Sequence, residues 1–411
     1  MRVQRRHRTI LGAGLAALSL LALAACGNGA ATTAANGSSS PGSSGGAYNV
    51  VLISDLSGGF SSVSAPGAAG AEVAVDNINA SGGVNGKKLN LQVIDSQSSA
   101  NMALTAAQKA VAENPLALIM LSGSAGASAI TSLVQSAHVP FLSPALPDTS
   151  VYPAQPYLYQ SSLTAQQDAQ AMYQFVKQHE NGSLSGKSID IAAINSPYVD
   201  VIIKDVSTLL KGSGGKVASV ERYNLPLASF ATQADAIARD KPNVVLTLGS
   251  TDDTVVVSKA LTAAGVGALQ VGIPSGAGQG TLQQIGSANY YAMTADPYPS
   301  ELPSVLAIAD SHGKKTEMSG SIFSMSGWVT VYMLADALKL CGDSCSSTAL
   351  NGALERVSNF TVPNGVSYGP VTFSGSDHAA VSTVRFRSYD PATRQFSESD
   401  PINVGIGSGN G

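Results

Sequence analysis

Short apolar runs, each followed by a stretch with helical periodicity, recur along this chain, and that alternation restricts the fold more than any other feature. The runs at 49–54, 89–94, 116–121, 140–142, 189–194, 217–223 and 244–248 have the length and composition of buried parallel strands. Between them, 67–80, 100–112, 128–137, 165–178, 201–210 and 230–239 read as helices. In the first of these, Ala71, Ala74, Val75 and Ile78 share one face, while Glu72, Asp76 and Asn79 take the other. Repeated βα units demand right-handed crossovers, which wind helices over both faces of a parallel sheet. The series is interrupted once. Residues 143–162 carry Pro144, Pro147, Pro153 and Pro156 with no helical pattern, so this segment is expected to lead from one sheet to another. Asp296-Pro297-Tyr298-Pro299 reads as a second crossover, followed by helices at 303–311, 321–340 and 349–357. Short antiparallel strands at 371–373, 381–389 and 394–396 end the body. A chain that leaves one lobe, returns and leaves again predicts an α/β fold of two doubly wound lobes joined by a multi-strand hinge. The expected N-terminal lobe is 48–160 with 298–365, the C-terminal lobe is 161–297 with 366–403, and 404–411 is a flexible tail.

The first residues set the compartment. Arg2, Arg5, Arg6 and Arg8 precede an uncharged apolar stretch from Ile10 to Ala25, the pattern of a secretory signal and too short to span a bilayer comfortably. Leu23-Ala24-Ala25-Cys26 resembles the lipobox of bacterial lipoproteins. That resemblance implies cleavage after residue 25, a diacylglyceryl-modified Cys26 and a protein held at the outer face of the cell membrane. Residues 26–47, rich in Gly, Ala and Ser, read as a flexible tether. Removing 1–25 takes away four of the 23 Lys and Arg and none of the 27 Asp and Glu. The remaining 19 against 27 give a charge of −8, which argues against a nucleic-acid partner. Two further cysteines, Cys341 and Cys345, flank a Gly342-Asp343 turn; a short disulfide and two free thiols are both open readings.

Gly70-Ala71-Glu72-Val73-Ala74-Val75-Asp76-Asn77-Ile78-Asn79, followed by Gly82-Gly83-Val84-Asn85-Gly86-Lys87, resembles the signature of the leucine/isoleucine/valine-binding proteins. The likeness continues through Asp95, Leu121–Ser124, Val139–Ala145 and Tyr290–Pro299. It implies a type I periplasmic binding protein fold and a substrate-binding component of an ABC importer for branched-chain amino acids or amides. Permease subunits and the membrane, through the lipid anchor, are the implied partners. A receptor component that signals instead of transporting is the alternative reading. The glycine-rich run itself reads as scaffold, since it permits positive φ in a tight helix-to-strand turn.

A solute should meet loops at the carboxyl ends of the strands. Phe60 and Ser61 lie after the first strand; Ser122, Ser124 and Gly126 follow the third, where amide N–H groups at a helix start suit an anionic or carbonyl group. From the second lobe, Tyr198 stands where the family has an aromatic clamp. Two departures bear on the ligand. Ala145 is followed by Leu146 and Pro147 where amino-acid-binding members carry a Thr, and Pro274-Ser275-Gly276 replaces a Pro-acid-Gly sequence whose acid holds the ammonium. Ser275 supplies no charge to a buried ammonium, which weakens the case for a zwitterionic amino acid. Thr251, Asp252 and Asp253 begin the helix after 244–248; Asp252 or Asp253 is either a displaced counter-charge or a helix cap. The expected solute is small and polar.

No catalytic or metal-ligand constellation is visible, and no cofactor is expected. No G-x-S-x-G elbow joins a strand to a helix, and the five His show no ligand spacing. Asn181–Ser188 grazes a P-loop but lacks the first Gly and precedes a strand rather than following one. Detergent phase partitioning of the bacterially expressed protein tests the anchor. The protein is expected in the detergent phase and its Cys26→Ser variant in the aqueous phase; identical partitioning rules out lipid at Cys26.

Overall fold

The computed structural model describes residues 46–405; the signal at 1–25, Cys26, tether residues 26–45 and tail residues 406–411 lie outside the described residues. The first βα series forms β1 (Tyr48–Ser54), α1 (Ser61–Ala80), β2 (Leu89–Asp95), α2 (Ala100–Ala112), β3 (Ala117–Leu121), α3 (Ser124–Ser136), β4 (Phe141–Ser143) and β5 (Leu158–Gln160). Its strands pair in parallel in the order β2-β1-β3-β4-β5. Helices cover both faces, so Leu52, Ile53, Leu118 and Ile119 lose all contact with water. Each such side chain contributes roughly 1.5–3 kcal/mol of burial.

The second series repeats the plan with α4 (Ala165–His179), β6 (Ser188–Ile194), α5 (Pro197–Gly212), β7 (Lys216–Tyr223), α6 (Ala231–Asp240), β8 (Val244–Leu248), α7 (Thr251–Ala263), β9 (Leu269–Gly272), α8 (Gln279–Ile285) and β10 (Tyr290–Thr294). Its parallel order, β7-β6-β8-β9-β10, matches that of the first sheet. Four helices follow: α9 (Pro303–Ser311), α10 (Lys315–Ser319), α11 (Phe323–Cys341) and α12 (Ser347–Leu354). The chain then returns to the second sheet, where β11 (Thr383–Asp390) joins β10 antiparallel, β12 (Gln395–Glu398) joins β11, and β13 (Ile402–Asn403) pairs with the start of β11. At the second passage between sheets, Tyr298 and Glu301 remain against the second lobe. The Tyr298 hydroxyl donates to the Ala277 carbonyl at 2.7 Å, and Glu301 pairs with Arg387 of β11 at 2.7 Å.

Helix α11 belongs with the first lobe because two glycines let it touch α1. A Cβ on Gly70 would collide with the Ser324 carbonyl oxygen, and one on Gly327 with the Gly67 carbonyl oxygen. The backbones are therefore in contact. The turn after α1 uses positive φ at Gly82, Gly83, Asn85 and Gly86, and a Cβ on Gly83 would strike the Lys87 carbonyl. Cys341 and Cys345 are joined by a disulfide just beyond α11. No helix among the described residues is long and apolar enough to cross a membrane.

Several boundaries differ from expectation. Helix α1 begins at Ser61 and contains Pro66, although Pro66-Gly67 reads as its start. Helix α3 begins at Ser124, inside a Gly-Ser-Ala run of loop-like composition; packing overrides weak local propensity there. Residues 371–373 form one bridge, Phe360 to Val371, rather than a strand. Pro370 has no N–H to extend that ladder, and the Ser374–Asp377 turn closes its other side. In urea unfolding, Gly327→Ala is expected to cost about 1–3 kcal/mol through overpacking. Gly352→Ala on α12, where a Cβ meets only the Arg356 side chain at 3.7 Å, is expected to be neutral or stabilising. Equal effects would disprove the backbone contact.

Candidate functional site: an enclosed cleft between two sheet edges

In each sheet the strand order reverses about its first strand, between β1 and β3 and between β6 and β8, so the loops leaving those strands diverge and open a crevice. The two crevices face each other across a cleft whose inner part has a volume of about 200 Å³. That is below the roughly 300–1,000 Å³ common for drug-sized ligands. The first lobe contributes Phe60, Val63 and Ser64 at the start of α1, Ser122–Ser124 after β3, Pro144 and Ala145 after β4, and Phe323 and Ser326 of α11. The second contributes Asp168 of α4, Ser196 and Tyr198 after β6, Gly249 and Ser250 after β8, Ile273–Ser275 after β9, and Thr294–Asp296 after β10. Tyr198 and Ser275 thus meet Phe60, Ser122, Ser124 and Ala145 across the cleft. A wider mouth lies outside, bounded by Gly58–Ser62 on one side and Leu225–Leu227, Asp252 and Asp253 on the other.

On the first-lobe rim, Asp55 is fully buried just after β1. It accepts from the Ser96 hydroxyl at 2.6 Å, the Ser122 hydroxyl at 2.7 Å, Ser98 N–H at 3.0 Å and Gly123 N–H at 3.3 Å. The loop expected to grip an anion therefore already holds an acidic side chain of the protein. The Ser124 hydroxyl lies 3.3 Å from that of Ser196, a direct contact between the opposed rims.

The second-lobe wall is built around Asp168. A capping box fixes the start of α4: Thr164 N–H donates to Gln167 Oε1 at 2.9 Å, and Gln167 N–H donates to Thr164 Oγ1 at 3.1 Å. The next residue is Asp168, fully buried, whose Oδ2 accepts from the Tyr198 hydroxyl at 2.8 Å while Oδ1 has no partner. Burial pushes its pKa up to about 8; the Tyr198 bond opposes the rise and nearby Asp148 reinforces it. Burial likewise pushes Asp296 up to about 7. Among the described residues no Lys, Arg or His lines the cavity, and no cluster of His, Cys, Asp and Glu could hold a metal ion.

Ser61 and Asp252 border the mouth rather than the inner cavity, and Asp252 is exposed. Asp253 is the cap: its carboxyl accepts from Ser250 N–H at 3.0 Å and from the Tyr223 hydroxyl at 2.5 Å. Three expected contacts do not reach the cavity. Gly126 is in the first turn of α3 against Met120 and Ala103, Leu146 is fully buried in the first-lobe core, and Thr251 turns its hydroxyl into protein. Ser275 reaches the cavity wall, but its hydroxyl donates to the Gly249 carbonyl. Asp168 and Asp296 were the acids missing from the sequence reading. One looked like the ordinary acid of a helix first turn and the other like part of a Pro-rich connector; the Thr164-x-x-Gln167 box was the available sign that α4 starts at the cleft.

Matching carboxyl edges of two doubly wound sheets around a shared cleft define a two-lobed binding protein. The chain belongs to the periplasmic binding protein family, whose model matches residues 47–394. It is thus an extracytoplasmic binding protein rather than an enzyme. Among solved structures it is similar to a branched-chain amino acid ABC transporter protein from Thermus thermophilus with bound valine, at 14% identity, covering 87% of this chain and 97% of that one with a TM-score of 0.76. It is also similar to an ABC transporter solute-binding protein from R. palustris in complex with benzoate, at 17% identity, 88% and 97% coverage and a TM-score of 0.74. A fatty acid ABC transporter substrate-binding protein from Thermomonospora curvata matches at 16% identity, 88% and 93% coverage and a TM-score of 0.75. At these identities the likeness is one of fold. No curated protein matches the sequence.

The raised acids couple stability to pH. The folded protein retains a proton on Asp168 up to about pH 8, whereas an unfolded Asp releases it near pH ~4. This group's contribution is complete below about pH 4 and is lost as pH rises toward 8. Between about pH 5 and pH 8, wild-type thermal stability is expected to fall by a few kcal/mol (~1.4 per pH unit at most) relative to Asp168→Asn. Parallel curves for the two proteins would show that Asp168 is ionised in the fold.

Proposed function

We propose that the protein is the solute-binding lipoprotein of an ABC importer of the branched-chain amino acid/amide type. It takes up a small polar solute by closing its lobes and presents the closed form to the permease. The carrying observation is the cavity itself, which loops of both sheets bound together. A solute touching both walls binds the closed arrangement better than an open one, and only that difference in affinity drives closure. The three passages of chain between the sheets are the segments about which the lobes would move. The ligands of the similar structures, valine and benzoate, differ in charge pattern, so the shared fold supports solute capture without specifying the solute. Cys26 would keep the protein near its permease; two acyl chains are needed for lasting attachment because one binds only marginally.

A thermal-shift screen of the mature protein against amino acids, amides, amines and carboxylic acids tests this reading. A solute at about 100 times its Kd is expected to stabilise by roughly 2.7 kcal/mol, and the same solute should reduce the radius of gyration in solution scattering. A broad screen in which no solute raises Tm or compacts the protein would sink the proposal.

A further inference from the structure

The cavity's lining is lopsided in charge. Three hydroxyls on its wall are spent inside the protein: Ser122 Oγ on Asp55, Ser275 Oγ on the Gly249 carbonyl, and Thr294 Oγ1 on the Asp296 carbonyl. Two acids are among the lining residues: Asp168, whose fully buried Oδ1 has no partner, and Asp296. A buried polar atom without a partner costs about 1–3 kcal/mol, so its retention at a cavity wall points to a ligand that satisfies it. No lining residue carries positive charge, and Asp55 occupies the rim where a helix start would otherwise receive an anion. The rest of the wall combines apolar and aromatic residues, including Leu121, Ile194, Ile273 and Phe323, with serines such as Ser64, Ser162 and Ser326.

We propose that the solute is a small organic amine, bound as its ammonium ion with the charged nitrogen against Asp168 and Asp296 and an apolar body filling the remainder. This rests on the solute-binding reading above and narrows its ligand class. An ammonium taken from water needs charge-assisted bonds to compensate desolvation, and two carboxyl groups supply them. Tyr198 is the positioning residue, since its hydroxyl bond to Oδ2 orients the Asp168 carboxyl and leaves Oδ1 without a partner. A solute whose only charge is a carboxylate would find no cation among the described lining residues to receive it.

Binding should be linked to protons. The titratable groups facing Asp168 are Tyr198 of α5 and Asp148 of the turn before β5, while Asp296 is raised by burial without a charged neighbour. In the empty site burial raises Asp168 to about 8 and Asp296 to about 7, so both are at least partly protonated near neutrality, and the ammonium favours their ionised forms. Amine binding therefore releases protons and tightens as pH rises.

Calorimetric titration of the mature wild-type protein with 3-methylbutylamine, leucinamide, leucine, 4-methylpentanamide and 4-methylpentanoate tests the class. The two amines lacking a carboxylate should bind at least tenfold tighter than the neutral amide, with leucine weaker than leucinamide and no binding of 4-methylpentanoate. Amine affinity should fall by up to roughly tenfold per pH unit and coupled proton below about pH 7. Buffers of different ionisation enthalpy should reveal proton release on the wild type alone, so the result does not depend on a variant folding. Asp168→Asn and Asp296→Asn should each weaken amine binding at least tenfold and flatten its pH dependence. The proposal is overturned if the carboxylate or neutral amide binds as tightly as the amine, or if both Asn variants keep wild-type affinity and pH dependence. Tight binding of only neutral or anionic solutes in the wider screen would also overturn it, while leaving solute capture intact; absence of binding by any solute would remove both readings.

Discussion

Asp55 sits where the first sheet reverses its strand order, and four donors from the loops after β2 and β3 converge on it. A fully buried acid is tolerable only with such partners, so the bonds that satisfy it also fix the loops relative to one another. This places Ser122, Gly123 and the first turn of α3 at the cleft and holds Ser124 opposite Ser196. It also introduces negative character at the helix terminus that could otherwise have received a solute's carboxylate. One side chain thereby shapes the rim and biases what the rim accepts.

The opposite wall works through shortage rather than saturation. Asp168 has one partnered and one unpartnered oxygen, and its burial makes the neutral form preferred near neutrality. A carboxyl kept protonated by a low-dielectric wall is poorly solvated when empty and well used when a cation arrives. The site is consequently less stable than a fully satisfied core, as ligand-binding regions of a fold generally are. The close α1–α11 contact, made through Gly70 and Gly327, supplies the stiffness on the first-lobe side and sets Phe323 and Ser326 at the cavity.

Much of the architecture was legible because a buried parallel strand and an amphipathic helix leave strong local patterns. Helix α2, strand β8 and helix α9 have the boundaries that those patterns indicate. Legibility failed where local composition and tertiary context disagree. The Gly-Ser-Ala run opening α3 and the Ser-rich turn opening α1 look like loops, yet both begin helices, the α3 start lying against Met120 and Ala103 of its own lobe. Of the site, Phe60, Ser122, Ser124, Ala145, Tyr198 and Ser275 line the inner cavity. Leu146 and Gly126 are natural choices from their loop positions, but the Leu146 side chain turns into the first-lobe core and Gly126 lies against Met120 and Ala103, placements only packing reveals.

The order of runs and turns in the sequence determined the two-sheet plan, the crossover points and the family, since hydrophobic periodicity and glycine-dependent turns are properties of neighbouring residues. Which polar groups remain unpaired was decided only in three dimensions. Asp168 and Asp253 are both acids in the first turn of a helix, but Asp253 is consumed as a cap whereas Asp168 meets one tyrosine and a cavity. That difference arises because a carboxyl's charge and hydrogen bonds depend on distant chain segments folded against it, which spacing along the sequence does not encode.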